Sequence, residues 1–147
     1  MEFVYPVLQD ALLRDAADGD VWFYQFDHYN PALQRDKPYL QGAVHALELP
    51  YVFTGSFGDR FFQFDFDEND HKVADYMGQL WTNFVKNGDP SHRDGPKWPK
   101  FHKNTRQNLI LRPEPTIAPD LFPQRMRYWE EYTHRQPSKQ YSYREDL

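Results

Sequence analysis

The order of apolar segments in this 147-residue chain predicts an α/β fold, an incomplete sheet flanked by helices. Residues 21–26 (VWFYQF) form a β-branched and aromatic run between polar residues and turn formers, which is typical of a buried strand. Apolar residues at helical spacing lie on both sides of this run. A second strand candidate, residues 108–111 (NLIL), precedes a last helical segment.

The first predicted helix covers residues 4–17 and leads into the VWFYQF strand. Its apolar side chains, at Val4, Leu8, Ala11 and Leu12, follow helical spacing, and Gly19 is placed to end it.

The second predicted helix begins at the carboxylates of residues 67–70, which favour the positive end of a helix dipole. One apolar stripe then follows: Val73, Met77, Leu80, Trp81 and Phe84. Asn87 and Gly88 end the helix, and Pro90 prevents it from resuming.

The C-terminal third predicts a strand, an extended segment and a helix. We expect strand 108–111 near the sheet edge, followed by a chain that Pro113, Pro115 and Pro119 keep extended. The last helix, residues 121–134, is expected to bury Phe122, Met126 and Trp129.

Composition excludes several classes of function. The chain has 18% aromatic residues, a formal charge of −5 and no cysteine. Disulfides, thiolate metal sites and cysteine nucleophiles are therefore excluded. We expect no nucleic-acid partner, because no basic patch supports one, and no membrane span, because no apolar run reaches about 18 residues. No cofactor or metal is predicted.

The segment 42–53 (GAVHALELPYVF) carries the best candidate for chemistry. His45 is expected on a loop beyond the carboxyl end of a strand, where open α/β sheets place their functional groups. A structural, hydrogen-bonded histidine is the alternative for such a residue.

Three weaker candidates have structural alternatives. His28 lies two residues past the VWFYQF strand and could be mistaken for a catalytic group, with a structural role as the alternative. His71 and Asp75 are four residues apart, a spacing that could hold a metal, yet further ligands are missing and we expect a solvated surface. The five phenylalanines of residues 54–66 could line an acyl or alcohol pocket, with core packing as the alternative.

Several motifs in order resemble the C-terminal part of the type B carboxylesterases and cholinesterases. They are YQFDH, the HALEL block beginning at His45, WTNFVKNGDPS, KWPKF and the helix with RMRYWEEY. This resemblance implies an α/β-hydrolase fold with a Ser, Glu or Asp, and His triad. It covers nearly the whole chain, and it places residues 1–136 in the family's C-terminal segment with 137–147 as a polar flexible tail.

The resemblance assigns the catalytic histidine to His45. Glu48 falls on the glutamate of the family's HGxEL block, and we interpret it as a structural residue or one that supports the histidine. Ala46 and Leu47 depart from the family, which usually has Gly and then a polar or aromatic residue. An alanine at position 46 matters if the backbone needs a positive φ, which Gly tolerates better.

The nucleophile and the acid of such a triad are not expected within this chain. None of its four serines, Ser56, Ser91, Ser138 and Ser142, lies in a G-x-S-x-G elbow, and the family's chain order puts serine and acid before the histidine. We therefore predict the C-terminal portion of an esterase acting on small-molecule carboxylic esters, with the isolated chain inactive. A non-catalytic cholinesterase-like adhesion protein and a small α/β domain of another role are the alternatives.

The last four residues, Arg144, Glu145, Asp146 and Leu147, are close to KDEL-type retrieval signals, although Asp stands where the pattern has Glu. They predict a place in the secretory pathway, retained in the endoplasmic reticulum lumen or secreted. A random acidic tail is the alternative.

Overall fold

The computed structural model of the chain describes residues 3–31, 42–53, 65–91, 93 and 97–135. Helices and strands occur in the mixed order that the α/β prediction requires. Their bounds are α1 Val4–Ala16, β1 Tyr24–Phe26, α2 Leu49–Val52, α3 Glu68–Asn87, β2 Asn108–Leu111, β3 Thr116–Ala118 and α4 Pro123–Arg135. The predicted phenylalanine segment, apart from Asp65 and Phe66, and the tail from residue 137 lie outside the described residues.

The described strands form one sheet in the order β1-β2-β3. β1 is parallel to β2, with Tyr24 opposite Leu109, and β2 is antiparallel to β3. In the described sheet β2 lies between β1 and β3, so β3 and not β2 is the outer strand on that side. Strand β3 is not predicted from the sequence, because its prolines indicate only an extended chain, but Pro115 and Pro119 flank this strand without interrupting it.

The strand predicted for residues 21–26 is shorter in the structure. Only Tyr24–Phe26 has regular strand pairing, and these residues are half-buried rather than buried. The preceding residues still bind neighbouring chain, since Phe23 O accepts from Leu109 N at 2.9 Å and Val21 O from Phe101 N at 2.7 Å. The residues before β1 therefore already form backbone hydrogen bonds with neighbouring segments before regular strand pairing begins.

Helix α3 begins and ends where the sequence predicts. Asp67 Oδ1 accepts the backbone N–H groups of Asn69 and Asp70 at 2.8 and 2.9 Å, and the Asp70 side chain returns a bond to Asp67 N, which makes a complete capping box. Gly88 ends the helix at φ 70°. No helix in the described ranges combines the length and apolar character needed to cross a bilayer.

The two faces of the sheet bury different helices. Tyr24 and Phe26 point to the face where α2 and α3 pack, together with the buried core residues Tyr51, Val73, Met77, Leu80, Trp98, Leu109 and Leu111. Phe23, which precedes β1, packs on the other side with α1 and α4, in a cluster of Leu8, Ala11, Phe101, Leu121 and Met126. Helices on both faces of a sheet are the layering of α/β folds.

The last helix begins two residues later than predicted. As a result Phe122 lies before α4 with φ 44° and is 37% exposed, so the prediction that it is buried is wrong. Leu121 occupies the core instead, at 5% exposure, while Met126 is fully buried and Trp129 half-buried as part of the same cluster.

Candidate active site

His45 lies on a tight turn that leads directly into α2. Leu47 N donates to Val44 O at 3.1 Å, a bond that spans the histidine, and Leu49 N donates to Ala46 O at 3.3 Å directly after it. Its side chain is exposed, while Leu47 two residues on is buried at 6% exposure. The turn therefore fixes the backbone through buried neighbours and leaves the imidazole accessible.

Ala46, the residue after the histidine, has a left-handed backbone with φ 66°. Alanine in this region costs roughly 1–2 kcal/mol because its Cβ crowds the backbone, a cost that glycine avoids. The turn therefore has, at Ala46, the positive φ at which alanine is less favourable than glycine.

The imidazole of His45 stacks on an aromatic ring from α1's start. The ring centroids of His45 and Phe3 are 4.0 Å apart and the planes differ by 7°. Phe3 itself is 53% exposed, so this pair forms a surface feature and not part of the core.

An apolar cavity of about 360 Å³ opens beside the histidine. Four separate segments line it, namely the start of α1, strand β1, the turn before α2 and the segment before α4, with side chains that include Phe3, Val7, Phe26, His45, Leu121 and Phe122. Apolar walls with one or two polar groups are typical of small-molecule sites. The arrangement could accept an apolar group next to an imidazole.

Glu48 lies on the same turn and also lines the cavity. Its carbonyl oxygen accepts Tyr51 N at 3.0 Å and Val52 N at 3.1 Å, which starts α2. Burial first, and then the charge of Glu48, raise the pKa of the Tyr24 phenol. Among the described residues, no carboxylate is hydrogen-bonded to His45, Glu48 included.

The other histidines considered from the sequence lie apart from this cavity. His28 is buried, whereas His71 and Asp75 are exposed on α3 as expected of a solvated surface. No group of three or more His, Asp or Glu side chains within the described ranges has the geometry to hold a metal ion.

Asp70 is the main polar residue that sequence reasoning missed. The sequence predicts only one of several carboxylates at a helix start, but the Asp70 side chain is completely buried. Asp70 Oδ1 accepts from His28 Nε2 and Tyr51 Oη, both at 2.7 Å, and Oδ2 accepts from Asn30 Nδ2 and, at 2.9 Å, from Asp67 N. The D-x-x-D spacing of Asp67 and Asp70 indicates the capping box. The bonds from Asp70 to residues far away in the sequence leave no such local pattern.

These contacts perturb two ionisations. Burial raises the pKa of the Asp70 carboxyl, but the hydrogen bonds from Tyr51, Asp67 N, His28 and Asn30 outweigh it and hold that pKa below its usual range. Burial, together with the hydrogen bond donated to Asp70, raises the pKa of the Tyr51 phenol far above its usual range. The pair is therefore a carboxylate and a neutral phenol at neutral pH.

The sequence and the fold both match known esterases. Residues 1–129 match the model of the carboxylesterase family. The chain is 33% identical over 128 residues to human cocaine esterase, a match that covers 87% of this chain and 22% of that protein. It is 37% identical over 101 residues to the para-nitrobenzyl esterase of Bacillus subtilis strain 168, covering 68% of this chain and 19% of that protein.

Solved structures give the same result for the fold. A carboxylesterase from Geobacillus stearothermophilus superposes with a TM-score of 0.64 at 25% identity, covering 83% of this chain and 24% of that one. A PNB esterase superposes with a TM-score of 0.62 at 32% identity, covering 74% and 21%. The predicted α/β-hydrolase fold is thereby confirmed. The chain spans about a fifth of the length of these relatives, and it belongs to the carboxylesterase family.

Proposed function

We propose that this chain is the C-terminal portion of a serine carboxylic-ester hydrolase and that His45 is the general base of its triad. The observation that carries the proposal is an exposed imidazole on a hydrogen-bonded turn at an apolar cavity of about 360 Å³. The cavity suits the acyl or alcohol group of an ester, and the imidazole is accessible to a hydroxyl that approaches from it. Two of the relatives, cocaine esterase and para-nitrobenzyl esterase, are named as esterases, which supports the same class of reaction.

The chemistry assigned to His45 is the transfer of one proton in two directions. Its imidazole takes the proton of a serine hydroxyl while that oxygen attacks the ester carbonyl, and it returns the proton to the leaving alcohol. Water then hydrolyses the acyl-enzyme with the same proton relay. Imidazole suits this because its pKa in water, about 6.5, lies close to neutrality.

The serine and the acid of the triad must come from outside the 147 residues. The chain contains no G-x-S-x-G serine, and Glu48 lies only three residues after His45 on the same turn. We assign Glu48 to support of the α2 start and of the cavity wall. The isolated chain is accordingly expected to show no ester hydrolysis above that of its His45→Gln variant.

The test uses the complete gene product and a fluorophosphonate probe. We expect the wild-type protein to be labelled at an elbow serine and to hydrolyse a short-chain p-nitrophenyl ester. His45→Gln is expected to lower kcat on the order of 10⁴–10⁶-fold, as loss of a triad histidine does. His134→Gln, which alters an exposed histidine at the end of α4, is the matched control and should leave kcat unchanged.

Two results would contradict the proposal. Absence of serine labelling in the complete protein would remove the esterase function and favour a binding protein. Labelling with an unchanged kcat in His45→Gln would keep the esterase but remove His45 from its triad.

A further inference from the structure

We propose that Asp70 is a positioning residue for His45, acting through Tyr51. This proposal rests on the proposed function, because it concerns the placement of the same general base. Asp70 makes no contact with the cavity, so its effect must be transmitted through α2.

The Asp70 carboxylate is a fully occupied acceptor inside the protein. Its two oxygens receive four donors, from His28, Tyr51, Asn30 and the Asp67 backbone, which equals the number of lone-pair positions that a carboxylate offers. These donors come from the segment after β1, from α2 and from the cap of α3. One side chain thus joins three segments that are distant in sequence.

Tyr51 connects this carboxylate to the turn that carries His45. Helix α2 has only four residues, too few to be stable by its own backbone hydrogen bonds, so side-chain contacts must fix its position. Tyr51 is the aromatic residue of α2 and is 1% exposed. Its ring stacks on Phe66 with centroids 5.0 Å apart. The hydrogen bond from the Tyr51 hydroxyl to Asp70 also fixes the orientation of the ring within this packing.

Backbone hydrogen bonds carry the position of Tyr51 back to His45. Tyr51 N donates to Glu48 O at 3.0 Å, and Leu49 N donates to Ala46 O at 3.3 Å. Each bond is one step closer to the imidazole, and Ala46 holds a strained left-handed conformation. Within the described ranges, the ring contact of the imidazole is with Phe3, which is itself 53% exposed, so the α2 anchor restrains the strained turn that carries the imidazole.

Displacement of a general base by about 1 Å can lower the rate about 10²-fold, without a matching change in substrate binding. Removal of the Tyr51 hydroxyl leaves the buried carboxylate one donor short and frees α2 to shift. The expected signature is therefore a lower kcat at constant KM, which simple loss of folded protein does not produce once rates are divided by the folded fraction.

The experiment compares three variants of the complete gene product. Tyr51→Phe keeps the ring and removes the hydroxyl, and Asp70→Asn keeps the shape and alters the acceptor. Leu80→Ala is the matched control, because Leu80 is 4% exposed in the same core and on the same helix as Asp70 but outside the hydrogen-bond network. The rate with a p-nitrophenyl ester, KM, the thermal midpoint and the folded fraction are measured for each, and for the Tyr51→Phe/Asp70→Asn double variant.

We expect kcat to fall about ten- to hundredfold in both network variants with KM within about twofold of wild type. Leu80→Ala should lose thermal stability and keep its kcat per folded molecule. The double variant should lose little more than the more affected single variant, since both changes act on the same Tyr51–Asp70 contact.

A kcat within about twofold of wild type in Tyr51→Phe would overturn the positioning role, and so would an equal loss of kcat in Leu80→Ala. Either result leaves the proposed function intact if His45→Gln is inactive. If His45→Gln instead retains its rate, the proposed function fails, and the two failures are thereby distinguished.

Discussion

The surroundings of His28 and His45 show two opposite ways in which this fold holds an imidazole. His28 is 9% exposed and donates to the buried Asp70 carboxylate at 2.7 Å. His45 is exposed, stacks on Phe3 at 4.0 Å, and has no hydrogen bond to a carboxylate among the described residues. One ring is fixed by its own hydrogen bond, the other through the backbone that carries it.

The difference separates stability from accessibility. A buried polar group must have its partners, because an unsatisfied donor or acceptor away from water is costly. A group that exchanges protons with a substrate has to remain reachable, so its own ring cannot be enclosed in the same way. The Asp70 network allows the fold to meet both requirements with adjacent segments.

The largest expected effect on stability comes from Asp70→Ala. This change leaves His28, Tyr51 and Asn30 without their shared acceptor inside the core, and we expect the free energy of unfolding to fall by about 3–5 kcal/mol, because each unsatisfied buried donor costs about 1–3 kcal/mol. His45→Ala, at the exposed end of the comparison, should change it by no more than about 0.5 kcal/mol. Urea denaturation followed by circular dichroism measures both. Equal losses of stability in the two variants would contradict the idea that Asp70 stabilises the fold and His45 does not.

The same carboxylate predicts an acid-sensitive contribution. The pKa of Asp70 is lowered in the folded protein relative to the ordinary value of 3.8, so its contribution to stability is complete above pH 3.8 and is lost as pH falls through the lower folded value. Asp70→Asn should therefore be less stable at neutral pH and show a shallower loss of thermal midpoint below pH 3.8.

A surface pair provides the control for this pH dependence. The hydrogen bond and charge of Lys72 also lower the pKa of Glu68, but both side chains are exposed, so added salt should remove that contribution. Lys72→Gln at high salt should match wild type across the acid range. A wild-type acid transition that disappears in high salt would assign it to surface pairs and not to Asp70.

Local signals in the sequence account for much of the fold. The apolar stripe of α3, its acidic cap and Gly88 are all read from neighbouring residues, and each lies where predicted. The ordered motifs also predicted the family. Strand β3, which pairs with β2 in the described sheet, was harder to predict, because the prolines around it indicate only an extended chain.

The residues of the candidate site also differ in whether neighbouring residues predict them. His45 was found because a histidine, a carboxylate and an apolar run lie within a few residues, and its catalytic role remains a proposal. The bond from His28 to Asp70 joins residues 42 positions apart, and no periodicity or spacing encodes such a contact. The domain boundary at residue 136 and the retrieval signal at residues 144–147 lie at or beyond the end of the described chain, and they stay predictions.

The smallest effect concerns the turn itself. Ala46→Gly removes the crowding of Cβ at φ 66° and adds freedom to the unfolded chain, and we expect a net gain of about 0.5–1 kcal/mol. Ala16→Gly at the last residue of α1 is the matched control, where the same chemical change relieves no strain and should lower stability by up to about 0.5 kcal/mol. Urea midpoints that shift in the same direction for both variants would show that Ala46 carries no strain. Opposite shifts, with kcat of Ala46→Gly at or above that of wild type, would show that the left-handed backbone of Ala46 lowers stability. They would also show that the turn before α2 positions His45 without needing the alanine side chain.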